Sequence, residues 1–532
     1  MYPRFFKRPL DFLCAFAIVA CLGIPVAGWT ANSPVISANP YASLQNGNAY
    51  LQQGIPLLLE YHGLTTGDQR QRFGYPQRNY GFRTATATTH HRFASSPTDF
   101  LQYGLDAHIA AGAFAAYRDF GSGATSSGTT FATTQGNTPS NPAISDNDRI
   151  LPGAFLAASA AGFIDSLDFD FNAAFYAEHH NHANAPTADR QETDWVLWDN
   201  EGRETINYKR MQAHIGLNYA WLRLELGRDA LHWGPGFFNN LTLNRQAVPY
   251  NYFSIDMVFG PLRVISFYSP LTIDSVGSRT HAHGDRNLYG HRYELALGNV
   301  TFGMSEIQTI YNENSAWLLV PVYPLFMEKG NYSELNNNGT LAFDANYRIM
   351  RTARIYGEFY MDDFDSPITV IENEYLNSQW ALMLGAQVVH DFKLNKHDLQ
   401  LGSIFEYARV DQRVYTHYEP GEAQIANAGY PLGNQLGPNS QSIDWMIYAQ
   451  INNALFVGVR NKWQWKGNVY GSELNGSWIG SGQNIKKDFL GGAKMRYSVT
   501  PMLAYNAERW QCSGAVTLFA EKKGEFNFSV SL

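Results

Sequence analysis

Cysteine and charged residues are both scarce in this chain of 532 residues. Of three cysteines, Cys14 and Cys21 lie in an apolar N-terminal segment, which leaves Cys512 as the single thiol of the remaining chain. This excludes a disulfide framework and a cysteine metal site, and it suits a chain exported through an oxidising compartment. Charged residues make up 16 %, below the roughly 25 % typical of soluble proteins. The net charge of -8 argues against a nucleic-acid partner.

Long apolar runs are absent beyond the N-terminus, since no later stretch approaches the ~20 residues that a spanning helix needs. The next most apolar run, Leu318–Met327, is short and contains two prolines. The N-terminus itself has a basic start and an apolar core over 12–27, which predict a signal peptide over residues 1–28. Residues 29–532 would then form the mature protein. Cleavage before Cys21, as in a lipoprotein, is the alternative.

Aromatic residues are abundant at 14 %, and apolar and polar residues alternate along many segments. Phe169 and Phe171, for example, share one face of a predicted strand, with Asp170 on the other. The same alternation occurs in residues 222–226, 292–297, 354–361 and 455–466. It is typical of membrane strands with one face in lipid, although a soluble β-sandwich would also show it. The export signal, the aromatic content and an alternating last strand, Phe526–Leu532, favour the membrane.

The predicted fold is therefore all-β: a single antiparallel transmembrane β-barrel. At one strand and one connection per roughly 25–30 residues, the mature chain would hold on the order of 16–20 strands. Three polar tracts are predicted to be long extracellular loops: residues 121–148, 181–207 and 415–442. Gly298-Asn299 is typical of a short periplasmic turn. The alternation fails at Glu306, which falls on the lipid side unless a bulge shifts it or it lies above the membrane.

Charges of both signs occupy the predicted lumen face, and they suit an interior network more than an open, selective pore. They are Arg223, Glu225, Arg228, Arg292, Glu294, Arg354, Glu358, Glu406 and Arg460. A Gly-x-Ser-x-Gly element is missing, so a barrel hydrolase is disfavoured and we expect no enzyme activity. His179, His180 and His182, and the acidic group at 362–365, could bind metals, but solvated loops explain them better. We expect no metal and no cofactor.

Three tryptophans in predicted loops lie among Asp, Asn, Gln and Glu residues: Trp195, Trp198 and Trp478. Aromatic faces beside hydrogen-bonding side chains are suited to binding sugars. Aromatic belts at a membrane interface have the same composition, so both interpretations stay open.

Several short motifs occur one after another along residues 220–445. They are Gly227–Gly236 (GRDALHWGPG), Gly290–Glu294 (GHRYE) with Glu306 and Val320–Pro324, Arg354–Phe359 (RIYGEF) with Asp362-Asp363, and Tyr430–Gly433 (YPLG) with Leu436–Asn439. Together they resemble the Wzi-type capsule assembly proteins. That resemblance implies an 18-stranded outer-membrane barrel with a blocked bore, which acts as a lectin for surface polysaccharide. One departure is that residues 33–60 lack the helical pattern of the bundle that closes the periplasmic side in the best-known members.

We therefore expect a monomeric outer-membrane barrel of about 18 strands that binds capsular or other surface polysaccharide and helps attach or assemble it. Its partners would be that polysaccharide, outer-membrane lipid and lipopolysaccharide. A porin for small solutes or oligosaccharides is the alternative. Candidate residues for polysaccharide binding or the lumen network are Arg228, Trp233, His291, Arg292, Glu294 and Glu358.

Overall fold

Antiparallel β-strands form nearly all of the regular secondary structure in the computed structural model of this protein. The described residues are 103–118, 150–164, 167–180, 196–199, 206–219, 221–271, 286–311, 316–321, 324–325, 337–350, 352–363, 371, 374–394, 397–417, 423–427, 430–451, 455–474, 485–506, 511–519 and 524–531. All of them belong to one compact unit, Ile36–Leu532. Among these residues, no helix has the length and apolarity required to cross a membrane.

The strands follow one another along the chain with few other elements between them. They are β1 (Tyr103–Arg118), β2 (Ile150–Ile164), β3 (Leu167–His180), β4 (Val196–Asp199), β5 (Ile206–Tyr219), β6 (Leu222–Asp229), β7 (Tyr250–Phe259), β8 (Leu262–Leu271), β9 (Arg286–Leu297), β10 (Val300–Tyr311), β11 (Asn337–Met350), β12 (Ala353–Met361), β13 (Trp380–Leu394), β14 (His397–Val410), β15 (Ala426–Asn427), β16 (Tyr430–Pro431), β17 (Ser440–Ile451), β18 (Leu455–Lys466), β19 (Lys494–Asn506), β20 (Gln511–Phe519) and β21 (Gly524–Ser531). A short 3-10 helix, Ala316–Leu319, lies between β10 and β11.

Each long strand pairs with its neighbours in the chain, always antiparallel. The short β4 pairs with the start of β5, and β15 pairs with β16 in a separate hairpin. The last strand, β21, pairs with the first, β1, from Gly112↔Ser531 to Arg118↔Glu525. The sequence therefore predicted the fold class correctly: the chain is all-β, antiparallel and barrel-like.

Short turns and long connections separate to opposite ends of the strands, as in membrane barrels. The predicted turn at Gly298 joins β9 to β10, and its φ of 60° is the left-handed conformation that glycine adopts without strain. The longer connections, such as those after β6, β10 and β14, all leave from the other end.

The predicted alternation of side chains is confirmed on the strands whose side chains are described. Leu226 and Leu297 are 59 % and 52 % exposed on the outer face, whereas Glu225 and Glu294 point inward and are 3 % and 1 % exposed. Phe171 is also exposed, and Asp170 beside it is buried. The outer face of the sheet is thus apolar and the inner face is polar, the reverse of a soluble protein.

Glu306 does lie on the outward side of β10; of the two expected explanations the bulge is wrong, and a position above the membrane stays a prediction. The register between β9 and β10 runs without a shift from Val300↔Leu297 to Tyr311↔Arg286, so no bulge is present. Glu306 is nevertheless buried, and Leu325 N donates to its Oε2 at 3.2 Å from the outside of the sheet.

One predicted extracellular loop is largely buried instead of exposed. In the connection from β14 to β17, the described residues 411–417, 423–427 and 430–439 are mostly buried, and Tyr415 is fully so. They turn inward because a second long connection already lies inside the sheet and offers them a surface to pack on. The predicted signal peptide, the tract at 121–148, Trp195 and Trp478 lie outside the described residues.

Candidate functional site

The connection between β6 and β7, residues 230–249, folds into the space enclosed by the strands; we call it the inner loop. Ala230, Trp233 and Leu241 are fully buried in it, as are the neighbouring polar residues Asn240 and Thr242. A buried loop must satisfy its backbone polar groups with the protein itself, since water does not reach them. The inner loop does so through two glutamates of the wall.

Glu406, on β14, binds three successive backbone N–H groups of the inner loop. Phe237 N donates to its Oε1, and Phe238 N and Asn239 N donate to its Oε2, both at 2.9 Å. Consecutive N–H groups turned toward one point form a small anion-binding nest. Tyr356 of β12 also donates its hydroxyl to Glu406, at 2.8 Å. This buried carboxylate therefore holds the first half of the inner loop against the wall.

Glu358, on β12, holds the second half of the inner loop in the same way. Leu241 N and Thr242 N donate to its two oxygens, each at 2.8 Å, and the Thr242 hydroxyl donates at 2.5 Å. Hydrogen bonds to a charged acceptor are stronger than those between neutral groups. Among the described residues neither Glu358 nor Glu406 forms an ion pair, so their partners are the amides of the loop and nearby hydroxyls.

Trp233 attaches the inner loop to two other strands on the same inner face of the sheet, β8 and β9. Its ring meets Phe267 edge to face, with 5.0 Å between centroids. A side chain at Gly290 would overlap both rings, so the glycine of the GHRYE motif makes room for this contact. The inner loop is thereby fixed to β8 and β9 by apolar packing and to β12 and β14 by hydrogen bonds.

The described residues of the connection from β14 to β17 (411–417, 423–427 and 430–439), which we call the covering loop, pack on the inner loop. Asn244 N donates to Leu432 O at 2.7 Å, and the Tyr415 hydroxyl donates to Leu241 O at 2.7 Å. A side chain at Gly433 would overlap the Leu241 carbonyl. The YPLG motif is thus one of the parts of the covering loop that contact the inner loop.

Around the inner loop, charged side chains of the wall pair with one another. Arg292 Nη1 lies 2.6 Å from Asp344, and its Nε lies 2.8 Å from Glu294. Glu294 in turn lies 3.2 Å from Arg263, which binds Asp256 at 2.5 Å. These five side chains cross β7 to β11 and are all nearly or fully buried. They form a paired network of mixed charge on the inner face of the sheet.

Two further arginines of the wall form ion pairs. Arg223 binds Asp170 at 2.7 Å and also contacts Glu225. On the other side Arg460 binds Asp444, with 2.8 Å from its Nε, and its guanidinium lies 4.1 Å from the centroid of the Phe238 ring. The second pair therefore also contacts the inner loop.

At the long-connection end, partly exposed tyrosines lie among polar side chains. Tyr430 and Tyr470 are partly exposed, and Tyr375 is 38 % exposed. Arg413 lies over the Tyr470 ring, 4.8 Å from its centroid. Burial raises the pKa of Tyr430 to about 12, so its hydroxyl keeps its proton at neutral pH. We call this long-connection end of the strands the mouth. Its rings and hydroxyls offer both stacking and hydrogen bonding.

Arg413 and Tyr415 have φ values of 66° and 70°, in the left-handed region that costs a non-glycine residue energy. Tyr415 is held there by two contacts: its N–H donates to Asp362 Oδ2 and its hydroxyl donates to Leu241 O. Burial raises the pKa of the Tyr415 hydroxyl well above its ordinary value, so it stays a donor. Such strained residues persist where surrounding contacts fix them, here between the covering loop and the inner loop.

Of the residues expected to bind polysaccharide or form the lumen network, Trp233, Arg292, Glu294 and Glu358 lie around the inner loop, as described above. His291 is buried on the outer side of β9, with Nε2 2.9 Å from Leu318 O.

Arg228 was expected on the lumen face, but strand alternation puts it on the outer face with Leu226; it is partly exposed, with Nη1 3.4 Å from Asn251 Oδ1. Trp198 lies in β4. Among the described residues no group of three His, Cys, Asp or Glu side chains could hold a metal ion.

The sequence did not point to Glu406, Asn239 and Tyr415 as site residues, although Glu406 was expected on the lumen face. Their roles depend on contacts across long sequence separations, such as Asn239 Nδ2 donating to Asp444 Oδ2 at 2.8 Å. A buried glutamate that binds backbone N–H groups leaves no pattern in sequence, because its partners are main-chain atoms of any residue type.

No protein-family model and no curated protein matches this sequence. Among solved structures, Wzi, an outer-membrane protein involved in group 1 capsule assembly in Escherichia coli and a carbohydrate-binding β-barrel, matches 95 % of this chain and 99 % of its own. The TM-score is 0.52 at 11 % identity. This likeness confirms, at the level of the fold, the resemblance drawn from the sequence motifs.

Two porin structures also match, at lower similarity. OccAB2 of Acinetobacter baumannii has a TM-score of 0.40 at 11 % identity, over 80 % of this chain and 97 % of that one. OccK8 (OprE) of Pseudomonas aeruginosa has a TM-score of 0.42 at 9 % identity, over the same shares. Similarity at this level carries no argument about the function of this chain.

Proposed function

We propose that this chain is a closed outer-membrane barrel that binds capsular or other surface polysaccharide at its mouth and performs no catalysis. The count of 18 barrel strands follows from removing β4, β15 and β16 from the 21 strands. Pairing of β21 with β1 supports closure. The exposed apolar outer face supports a position in the membrane.

The observation that carries the proposal is the inner loop across the bore. Its backbone is bonded to β12 and β14 through Glu358 and Glu406, while Trp233 packs on β8 and β9. A diffusion channel requires a continuous water-filled path, and a buried loop that spans the inner face of the wall from β8 to β14 obstructs it. Such a blocked bore suits a protein that holds a ligand at its surface and passes none through.

The mouth supplies the chemistry for binding a sugar. Tyr430 and Tyr470 are partly exposed, with Arg413 over one face of the Tyr470 ring, and Asn468 and Gln435 in the same two connections carry amides. Sugar rings stack on aromatic faces with their C–H groups, while their hydroxyls pair with amides. Wzi, with the same fold, is described as carbohydrate binding, which also supports this choice of ligand.

Binding of purified capsular polysaccharides to the detergent-solubilised protein tests the proposal. We expect saturable binding to at least one, and Y430A/Y470A should weaken it at least tenfold, because both stacking rings are lost. The matched control is Tyr505→Ala, since Tyr505 is 38 % exposed on the outer wall, far from the mouth. Absence of binding across a broad panel, or equal weakening by Tyr505→Ala, contradicts the proposal.

A porin for small solutes or oligosaccharides is the second candidate, favoured by the charged wall around Asp170 and Arg223, which would suit water. Single-channel conductance in a planar bilayer separates the two. We expect the inserted protein to be silent, because the inner loop closes the bore. Large, steady openings would overturn the closed bore and favour the porin.

A further inference from the structure

Residues 316–321 and 324–325 cross the outer surface of the sheet instead of the mouth, and we call these residues the strap. Its backbone carbonyls accept hydrogen bonds from side chains of three places in the wall. The Ser266 hydroxyl donates to Leu319 O at 2.6 Å, and His291 Nε2 lies 2.9 Å from Leu318 O. The Tyr293 hydroxyl donates to Pro321 O. The strap is therefore bonded to both β8 and β9.

These wall residues point outward, away from the bore. On β9 the inward set includes Gly290 and Arg292, which contact Trp233 and Asp344, so the alternate residues His291 and Tyr293 face out. The same outward row continues toward the short turns as Leu295 and Leu297, which are 38 % and 52 % exposed. The strap thus occupies the surface where lipid would otherwise contact the barrel.

Beneath the strap lie polar side chains that lipid would not tolerate. Glu306 and Gln308 face outward on β10, yet they are only 1 % and 0 % exposed. Leu325 N donates to Glu306 Oε2 at 3.2 Å. An uncovered carboxylate or amide in hydrocarbon costs several kcal/mol, so covering this patch stabilises the barrel in the membrane.

Some apolar side chains of the strap pack on the wall, and others are exposed on its outer side. Leu318 and Leu325 are buried against Tyr289 and Ile310, with 1 % of each leucine exposed. Trp317 and Val320 point away from the wall and are 77 % and 38 % exposed. A segment with one apolar side packed on the barrel and another apolar side exposed is suited to lie in a lipid layer.

We infer that the strap lies within the outer leaflet of the membrane, where Trp317 and Val320 contact lipid acyl chains while the opposite side shields Glu306 and Gln308. The inference rests on the membrane position in the proposed function, and it adds a lipid-binding segment that belongs to a loop and not to a strand. It also explains why the run Leu318–Met327 is the most apolar one after the N-terminus.

Tryptophan quenching by brominated lipid tests the inference. The full-length protein is reconstituted in phosphatidylcholine vesicles with or without bromine at the middle of the acyl chains. The emission of Trp317 is obtained as the difference between the parent protein and Trp317→Phe. Trp445→Phe is the matched control, because Trp445 is 40 % exposed on the outer face of β17. Both substitutions keep an aromatic ring at an exposed position, so both variants should fold.

We expect brominated lipid to remove most of the emission assigned to Trp317 and most of that assigned to Trp445. Quenching of Trp445 alone would overturn the inference, since the barrel would lie in lipid with the strap outside it. Quenching of neither would show that the outer face is not in the bilayer, and both the membrane position and the strap's location would fall.

Discussion

Glu358 and Glu406 determine whether the inner loop can stay inside the barrel. Burying a carboxylate is costly unless its oxygens are satisfied, and burying a loop is costly unless its N–H groups are. The loop therefore supplies N–H donors to the carboxylates, and the carboxylates supply acceptors to the loop. Because five backbone N–H groups of residues 237–242 converge on two side chains, a change at either glutamate leaves several buried donors unpaired.

Replacing Glu406 with Gln should loosen the inner loop while keeping a side chain of the same size at that position. A neutral amide accepts through one oxygen only, so at least one of three donors loses its acceptor, at a cost of about 1–3 kcal/mol. We expect transient openings in planar-bilayer recordings and faster proteolysis within residues 234–242. Glu374→Gln is the control, since Glu374 is an exposed partner of Lys486. A variant as silent and resistant as the parent protein would show that Glu406 does not hold the loop.

Arg292 neutralises two buried carboxylates, Glu294 and Asp344, and its removal should destabilise the wall. Arg292→Met leaves Asp344 without this ion pair and Glu294 with Arg263 as its remaining partner, and breaking a buried pair in this way costs about 3–5 kcal/mol. We expect a clearly lower urea midpoint for unfolding from detergent micelles. Lys486→Met removes an exposed charge and should change the midpoint little. Equal midpoints for the two variants would mean that the Arg292 network contributes no stability.

The inner loop and the covering loop form one structure, because each provides the surface on which the other is buried. Their closest approach lies between Leu241 and Gly433, where no room remains for a side chain. Asn427 strengthens the contact by donating its side-chain amide to Val248 O at 3.1 Å. A disturbance in the covering loop should therefore reach the bore.

Gly433→Ala is the smallest change that should separate the two loops. The added methyl group would overlap the Leu241 carbonyl, so one loop must move. We expect bilayer openings like those of Glu406→Gln, together with weaker polysaccharide binding because the mouth is displaced. Gly260→Ala is the control: it lies in a short turn with φ 58° and nothing within 4 Å, so only local backbone strain, ~1 kcal/mol, is added. If the Gly433→Ala variant stays closed in the bilayer and binds polysaccharide as the parent protein does, the two loops are not coupled.

The barrel as a whole depends on the seam between its first and last strands. β1 and β21 pair over residues 112–118 and 525–531, and without them the sheet would have two free edges. Unpaired strand edges are not tolerated in hydrocarbon, where water cannot satisfy the backbone.

Deleting residues 524–532 should therefore prevent stable insertion. We expect loss of the heat-dependent shift in electrophoretic mobility that a closed barrel shows in detergent, together with loss of membrane recovery. Removing an equal length from the polar tract 121–148 should leave both unchanged, because the composition of that tract predicts a loop. A truncated protein that inserts and keeps the shift would contradict closure through β1 and β21.

The sequence alone determined the fold class, because alternation of apolar and polar residues is a local property of each strand. The exposed Leu226 beside the buried Glu225 is an example. It also indicated a paired, mixed-charge interior and, through ordered motifs, the family of folds. These conclusions need only the period of the pattern and the chemistry of single residues.

The location of the connections was decided by the tertiary structure. Residues 415–442 are polar, which predicted an exposed loop, yet Tyr415 is fully buried because the inner loop gives it a partner at Leu241. Glu306 is buried on the outer face because a distant segment covers it. In both cases main-chain atoms provide the partners. The position of a backbone carbonyl or amide in the folded protein cannot be predicted from the order of side chains.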